Sequence, residues 1–348
     1  MRLVITKKTL RLVVDAQAID SPMSMASLSQ GAELLRSGGT VAFPTETVYG
    51  LGANALNQAA VQAIFQAKQR PAWDPVIVHI VNQEQLAMAA VDIPRIGHLL
   101  MEAFWPGPLT LLLPKGPRVP AVVTAGRPRV GVRMPRHPVA RRLIELAGVP
   151  VAAPSANSFG RTSPTRGEFV LEDLDGRIDA VIDSGDSTLG LESTVVDVCE
   201  EPPILYRPGM VTFEQIQSLC HGLVAYHPPR DGASGPQASP GVGLKHYSPR
   251  ARLVLLESAD REELLRLAAE LHHAGETVGI MLPATLAREG PYLVYHWGDM
   301  ADQETLARRL FAGLRELDGA GATVIICPLP RDVGLGVALR DRLLKAAR

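Results

Sequence analysis

Residues 251–283, ARLVLLESADREELLRLAAELHHAGETVGIMLP, decide the architecture of the C-terminal part. ARLVLLE is a short apolar run with the length and branching of a buried strand. ADREELLRLAAELHHAG repeats its leucines at helical spacing and ends at Gly275, a residue suited to a helix terminus. TVGIML is again a strand. Strand, helix, strand at this spacing predicts a parallel pair joined by a crossover helix. The pattern continues with a strand in LVYHW, a helix in TLARRLFAGLRELDGAG, a strand in ATVIICP and a closing helix in VALRDRLLKAAR. The expectation is a Rossmann-like α/β domain over residues 250–348. It has no GxGxxG after its first strand and the chain has no GxxxxGK[ST], so a dinucleotide site there is disfavoured.

Upstream lies HPPRDGASGPQASPGVGLKHYSP, residues 227–249, with five Pro, four Gly and three Ser in 23 residues. Such a stretch reads as a linker. It is long for a connection, and Lys245, His246 and Tyr247 at its end are polar and aromatic. A lid that closes over a site in the first domain is therefore expected of it. Residues 1–226 form the other domain, with its core at about 28–212. Here the sequence predicts helices at 28–37, 59–68 and 139–147. Strands are expected at 40–43, 76–81, 109–113, 130–133, 149–153, 180–183 and 193–198. Mixed spacing implies a sheet of mixed direction.

The chain has 348 residues, and at about 150 residues per domain two domains are expected. With 46% apolar and 20% charged residues it is not disordered. Its 35 basic and 36 acidic residues nearly cancel, which argues against a general nucleic-acid or membrane-surface binder. Three scattered cysteines give neither a disulfide framework nor a Cys-rich zinc site. No signal peptide and no membrane span are legible, so the expected location is cytoplasmic.

Four segments put polar residues at strand ends, where α/β proteins bind ligands. PTETVYGLGANAL (44–56) leaves a strand, and Gly50 and Gly52 would let the backbone approach a ligand or simply make a tight turn. AKQRPAWDPVIVHI (67–80) places Lys68 and Arg70 at a helix end, where a cation also complements the helix dipole. Pro71 and Pro75 would stiffen that exit and aim both cations, as a phosphate clamp requires. His79 lies in an apolar strand, a place more typical of a core histidine. From Lys115 to Arg142 there are seven arginines and no acidic residue. Arg133, at the end of a strand, suits a carboxylate or phosphate. The last segment joins APSANSFGRTSPT (153–165), LGLESTVVD (189–197) and LYRPG (205–209). Ser155, Asn157, Ser163, Ser193 and Arg207 offer hydrogen bonds to a small polar ligand. No base stands beside Ser155 and GxSxG is absent, which disfavours a serine hydrolase.

Taken in order, PTETVYGLG, KxRP…P.IVHI, GVRMP, APSAN..G..SPT, GLESTVVD and YRPG resemble the threonylcarbamoyl-AMP synthase family in its longer, two-domain form. The likeness covers about residues 28–209 and the SPG…KHYSP of the linker. It implies a YrdC-like twisted open mixed sheet with a deep basic cavity, followed by the smaller Rossmann-like domain. It implies an enzyme, a nucleotidyltransferase that joins L-threonine, bicarbonate and ATP into threonylcarbamoyl-AMP and pyrophosphate. Other proteins would pass the threonylcarbamoyl group to the adenosine beside a tRNA anticodon, and contact with tRNA itself is left open. By similarity Thr47, His79, Arg133, Ala153 and Ser193 would hold threonine. Lys68, Arg70, Asp74, Ser155, Asn157, Ser163 and Arg207 would hold ATP, with Lys68 and Arg70 neutralising the departing pyrophosphate. Mg²⁺ would accompany the nucleotide, its ligands unassigned. Where the family pattern has Asn, this chain has Asp74, a carboxylate that would repel phosphates unless Mg²⁺ or a lysine intervenes. The competing reading is an RNA-binding or ribosome-assembly module that uses the basic cluster; neutral overall charge and the lack of an aromatic stacking platform count against it.

Overall fold

The computed structural model describes residues 8–227, 246–286 and 290–348. Two compact units result. The first holds most of residues 1–243; the second holds Leu244–Arg348 together with two short stretches from earlier in the chain, Gly160–Ser163 and Thr188–Leu191. Within the second unit, Arg315 donates to the Thr162 carbonyl at 2.5 Å. Gly190 has φ +70 and backs onto the Arg308 main chain, where a Cβ would lie 2.5 Å from its Cα.

In the first unit the strands are β1 (Leu10–Val13), β2 (Val41–Phe43), β3 (Gly50–Asn54), β4 (Ile77–His79), β5 (Leu109–Pro114), β6 (Arg129–Arg133), β7 (Val151–Ala152), β8 (Ala180–Asp183), β9 (Thr194–Asp197), β10 (Ile204–Arg207) and β11 (Val224–Ala225). They form one mixed sheet in the order β1-β8-β2-β3-β7-β4-β6-β5-β9-β10-β11. One face carries Val78, Leu111, Val130, Val132 and Val196 into the main apolar cluster. Burial of this alternating aliphatic set, at about 25 cal/mol per Å², is what holds the strands in register.

Three elements differ from expectation. Leu10–Val13 is a strand, paired parallel with β8 at the sheet edge and ahead of the first element that the sequence predicts, the helix at 28–37. The first helix begins at Pro22 rather than Leu28, because the Ser21 side chain accepts from the Ser24 N–H and Pro22 fits the first turn. Gly50 and Gly52 lie inside a strand instead of a ligand loop. A Cβ on Gly52 would stand 2.7 Å from the Phe43 ring and 2.8 Å from Val151, so close packing between neighbouring strands requires the glycine.

The second unit follows the expected alternation. Strands β12 (Arg252–Leu256), β13 (Val278–Pro283), β14 (Leu293–Gly298) and β15 (Val324–Pro328) are all parallel, in the order β12-β15-β13-β14. Helices Arg261–His273, Gln303–Gly319 and Leu335–Ala346 accompany them, the first two capped by Asp260 and Asp302. Leu256, Leu264, Ile280, Val324 and Ile326 form its core. No helix among the described residues is long and apolar enough to cross a membrane.

Candidate functional site

Sheet register gathers the polar residues of the first unit. His79 lies opposite Arg133 across β4 and β6, Thr110 opposite Val195 across β5 and β9, and Val195 opposite Arg207 across β9 and β10. The pairing of Leu111 with Val132 sets Thr110 beside Arg133. Residues opposite one another project from the same face. His79, Arg133, Thr110 and Arg207 therefore form one row across five strands, on the side away from the main apolar cluster. Arg207 owes its place to a bulge. Leu205 pairs with Val196 on the apolar side, and regular alternation would send Arg207 the same way; the extra residue between them turns it over.

Loops close over this row. Arg133 is buried, with its Nη2 2.7 Å from Glu46 Oε1, its Nη1 donating to Thr47 Oγ1 at 2.8 Å and its Nε to the Gly107 carbonyl at 3.2 Å. Glu46 Oε2 accepts from the His137 N–H at 3.3 Å, at the start of the helix Pro138–Ala147. Burial would raise the Glu46 carboxyl, but the charge and hydrogen bond of Arg133 outweigh it and leave it below the usual range. Thr45 Oγ1 lies 2.7 Å from Thr47 Oγ1 and is within 2.7 Å of the Val48 carbonyl, which fixes the turn. His79 sits edge-on to Phe43, and its Nδ1 is buried without a hydrogen-bond partner. Burial, reinforced by the Arg133 charge, pulls its pKa down to about 3, so the ring is neutral. On the other flank Arg207 donates to the Ser193 carbonyl at 3.0 Å and to its hydroxyl at 3.1 Å, and that hydroxyl lies 2.8 Å from Thr110 Oγ1.

The second cluster is cationic. Asn57 caps the helix Gln58–Lys68, and Lys68, its last residue, is 1% exposed. Its Nζ donates to the Ser155 carbonyl at 2.5 Å and to the Asn157 carbonyl. This buried lysine is held by carbonyl oxygens and is not a solvated helix-end cation. Arg70 turns back on its own loop. It donates to the Asp74 carbonyl at 3.1 Å and the Pro75 carbonyl at 2.7 Å, and pairs with Asp74 Oδ2 at 2.9 Å. Burial raises the fully buried Asp74 carboxyl, against the pull of Arg70, Lys68 and Arg207. Three cations against a single carboxyl group leave net positive charge here, which suits a polyphosphate.

The remaining expected residues are placed by other contacts. Ala153 contributes its backbone, its N–H bonded to the Ile77 carbonyl at 2.8 Å. Ser163 is buried within the stretch grouped with the second unit. Lys245 lies outside the described residues. His246 and Tyr247 are buried in the second unit, where Tyr247 stacks on Phe311 with ring centres 5.6 Å apart and Arg342 lies 5.1 Å over its ring. Among the described residues no group of three His, Cys, Asp or Glu is placed to hold a metal ion. Two residues of the site carry little signal in the sequence. Thr110 is hidden in an aliphatic run, though a lone hydroxyl in LTLLL is a signal. Glu46, between two threonines, gave none that a turn would not also give.

Comparison with known proteins follows the same lines. Residues 33–209 match the family described as Telomere recombination, and residues 211–348 that described as Threonylcarbamoyl-AMP synthase, C-terminal domain. The threonylcarbamoyl-AMP synthase of Pyrococcus abyssi is 44% identical over 320 residues, covering 91% of this chain and 92% of its own. That of Bacillus subtilis is 41% identical over 346 residues, covering 98% of each. The crystal structure of P. abyssi Sua5 complexed with L-threonine superposes with a TM-score of 0.89 at 41% identity, over 97% of this chain and 98% of that one. The chain is a member of the threonylcarbamoyl-AMP synthase family.

Proposed function

We propose that this enzyme condenses L-threonine, bicarbonate and ATP to threonylcarbamoyl-AMP and pyrophosphate, for threonylcarbamoylation of tRNA by other proteins. The observation that supports the reading is the polar row of His79, Arg133, Thr110 and Arg207, with Arg133 bonded to Glu46 and Thr47, Arg207 bonded to Ser193, and Arg207 acting with Lys68 and Arg70 on Asp74. The threonine carboxylate takes the Nη–H groups that Arg133 has left beyond Glu46, Thr47 and Gly107. The hydroxyls of Thr47 and Ser193 and the free Nδ1 of His79 meet the ligand's remaining polar atoms. Threonine's ammonium and bicarbonate give the carbamate, releasing water and a proton. A carbamate oxygen then attacks the α-phosphorus, and the bond to the pyrophosphate oxygen breaks. Lys68, Arg70 and Arg207 offset charge on the triphosphate, so catalysis here is positioning and electrostatics without a covalent enzyme intermediate.

Mg²⁺ fits this arrangement as a nucleotide-borne ion. Asp74 Oδ1 is buried and accepts no hydrogen bond, and one such carboxylate plus phosphate oxygens and water is an ordinary Mg²⁺ shell. The ion would add charge neutralisation at the phosphates. The test is turnover with purified substrates. Pyrophosphate should appear only when threonine, bicarbonate and ATP are all present, and cleavage of ATP to ADP and phosphate would refute the assignment.

A further inference from the structure

The Arg133–Glu46 pair has a consequence for substrate choice, and it rests on the reading above that Arg133 receives the threonine carboxylate. Both side chains are about 5% exposed and lie 2.7 Å apart. The turn Thr45–Val48 holds the Glu46 main chain, and the His137 N–H at a helix start holds its second oxygen. Two other titratable groups face this spot. His79 is neutral, and burial lowers His137 as well, partly offset by Glu46, which leaves it neutral near pH 7. The charge count around Arg133 is therefore one plus, one minus and two zeros.

We propose that Glu46 is a substrate-positioning and specificity-determining residue: it keeps the amino-acid subsite neutral and pairs with the substrate's α-ammonium, so that the subsite selects a zwitterion over a simple carboxylate. Burying a net charge is expensive, whereas a zwitterion brings its own compensation. A carboxylate alone, docked on Arg133, would leave the buried site at one net negative charge. L-Threonine adds none. Its ammonium is one carbon from the carboxylate, and Glu46 is bonded to the same guanidinium that carboxylate would use. The two pairs thus run side by side, carboxylate to Arg133 and ammonium to Glu46. The carboxylate also fixes the guanidinium's direction, which a glutamine would do less strongly.

The experiment measures binding of L-threonine and of 3-hydroxybutanoate, the same molecule without its amine, to the full chain by calorimetry. ATP binding serves as a check on folding. The unmodified protein should prefer threonine by about tenfold or more, the range of one charge-assisted hydrogen bond. Glu46→Gln should lose about that factor for threonine while 3-hydroxybutanoate binds as well or better. Glu46→Asp, which retains the charge, should retain the preference even if Glu46→Gln fails to bind ATP. An equal loss for both ligands in Glu46→Gln, or a lost preference in Glu46→Asp, overturns the role of Glu46 and leaves the proposed reaction standing. An unmodified protein that does not bind threonine overturns both.

Discussion

Replacing Arg133 with alanine tests the site and the fold together. The substitution removes the charged group that pairs with the buried Glu46 carboxylate at 2.7 Å. Breaking one side of a buried ion pair typically destabilises by about 3–5 kcal/mol. At about 2–4 °C per kcal/mol for a unit of this size, the midpoint of thermal unfolding should fall by roughly 6–20 °C. The pH dependence carries the sharper signature. In the unmodified protein the Glu46 carboxyl lies below its unfolded value, so its contribution is present above the unfolded pKa and fades as pH falls through the folded one. Without Arg133, burial dominates and the carboxyl moves above its unfolded value. Its penalty is then full at high pH and relieved as it protonates on acidification. Both trends shrink the gap between the two proteins at low pH. Denaturant unfolding at pH 5 and pH 8 should show the Arg133→Ala penalty smaller at pH 5. A penalty under about 1 kcal/mol at pH 8, or one that does not change with pH, would refute the reasoning.

The substrates should separate by variant. Folded Arg133→Ala should lose threonine affinity by about 1.5–3 kcal/mol with ATP little changed, and Arg70→Ala should do the reverse. Equal losses of both ligands in both variants would count against that division. Threonine affinity should be flat from pH 5.5 to 8, since His79 is held at about 3 and stays neutral throughout; a titration step near the ordinary histidine value, in calorimetry across that range, would show the ring to be ionising. Asp74→Asn removes the one negative charge among Lys68, Arg70 and Arg207, so in the absence of Mg²⁺ ATP should bind more tightly, and weaker binding would contradict the repulsion argument. Gly52→Ala drives a methyl into Phe43 and Val151 and should destabilise by about 1–3 kcal/mol, readable as a lower denaturant midpoint.

Much of the architecture was legible because it depends on local pattern. The strands and helices of residues 250–348 follow the periodicity of their apolar residues closely, as do the helices ending at Lys68 and Ala147. The motifs around Lys68, His79, Arg133 and Ser193 were legible for the same reason, since each is a short run of residues. What local pattern could not supply was pairing. Leu10–Val13 is a strand only because β8 lies beside it, and the glycines of β3 make sense only against Phe43 and Val151. Glu46 reads as one polar residue among three until the fold buries it against Arg133, 87 positions away in the chain. Arg207 is the clearest case. By period-two alternation it shares a face with Leu205, the apolar side. A single extra residue in its register with β9 turns it toward Ser193. A bulge is a relation between two strands, so the tertiary structure alone decided on which face that guanidinium stands.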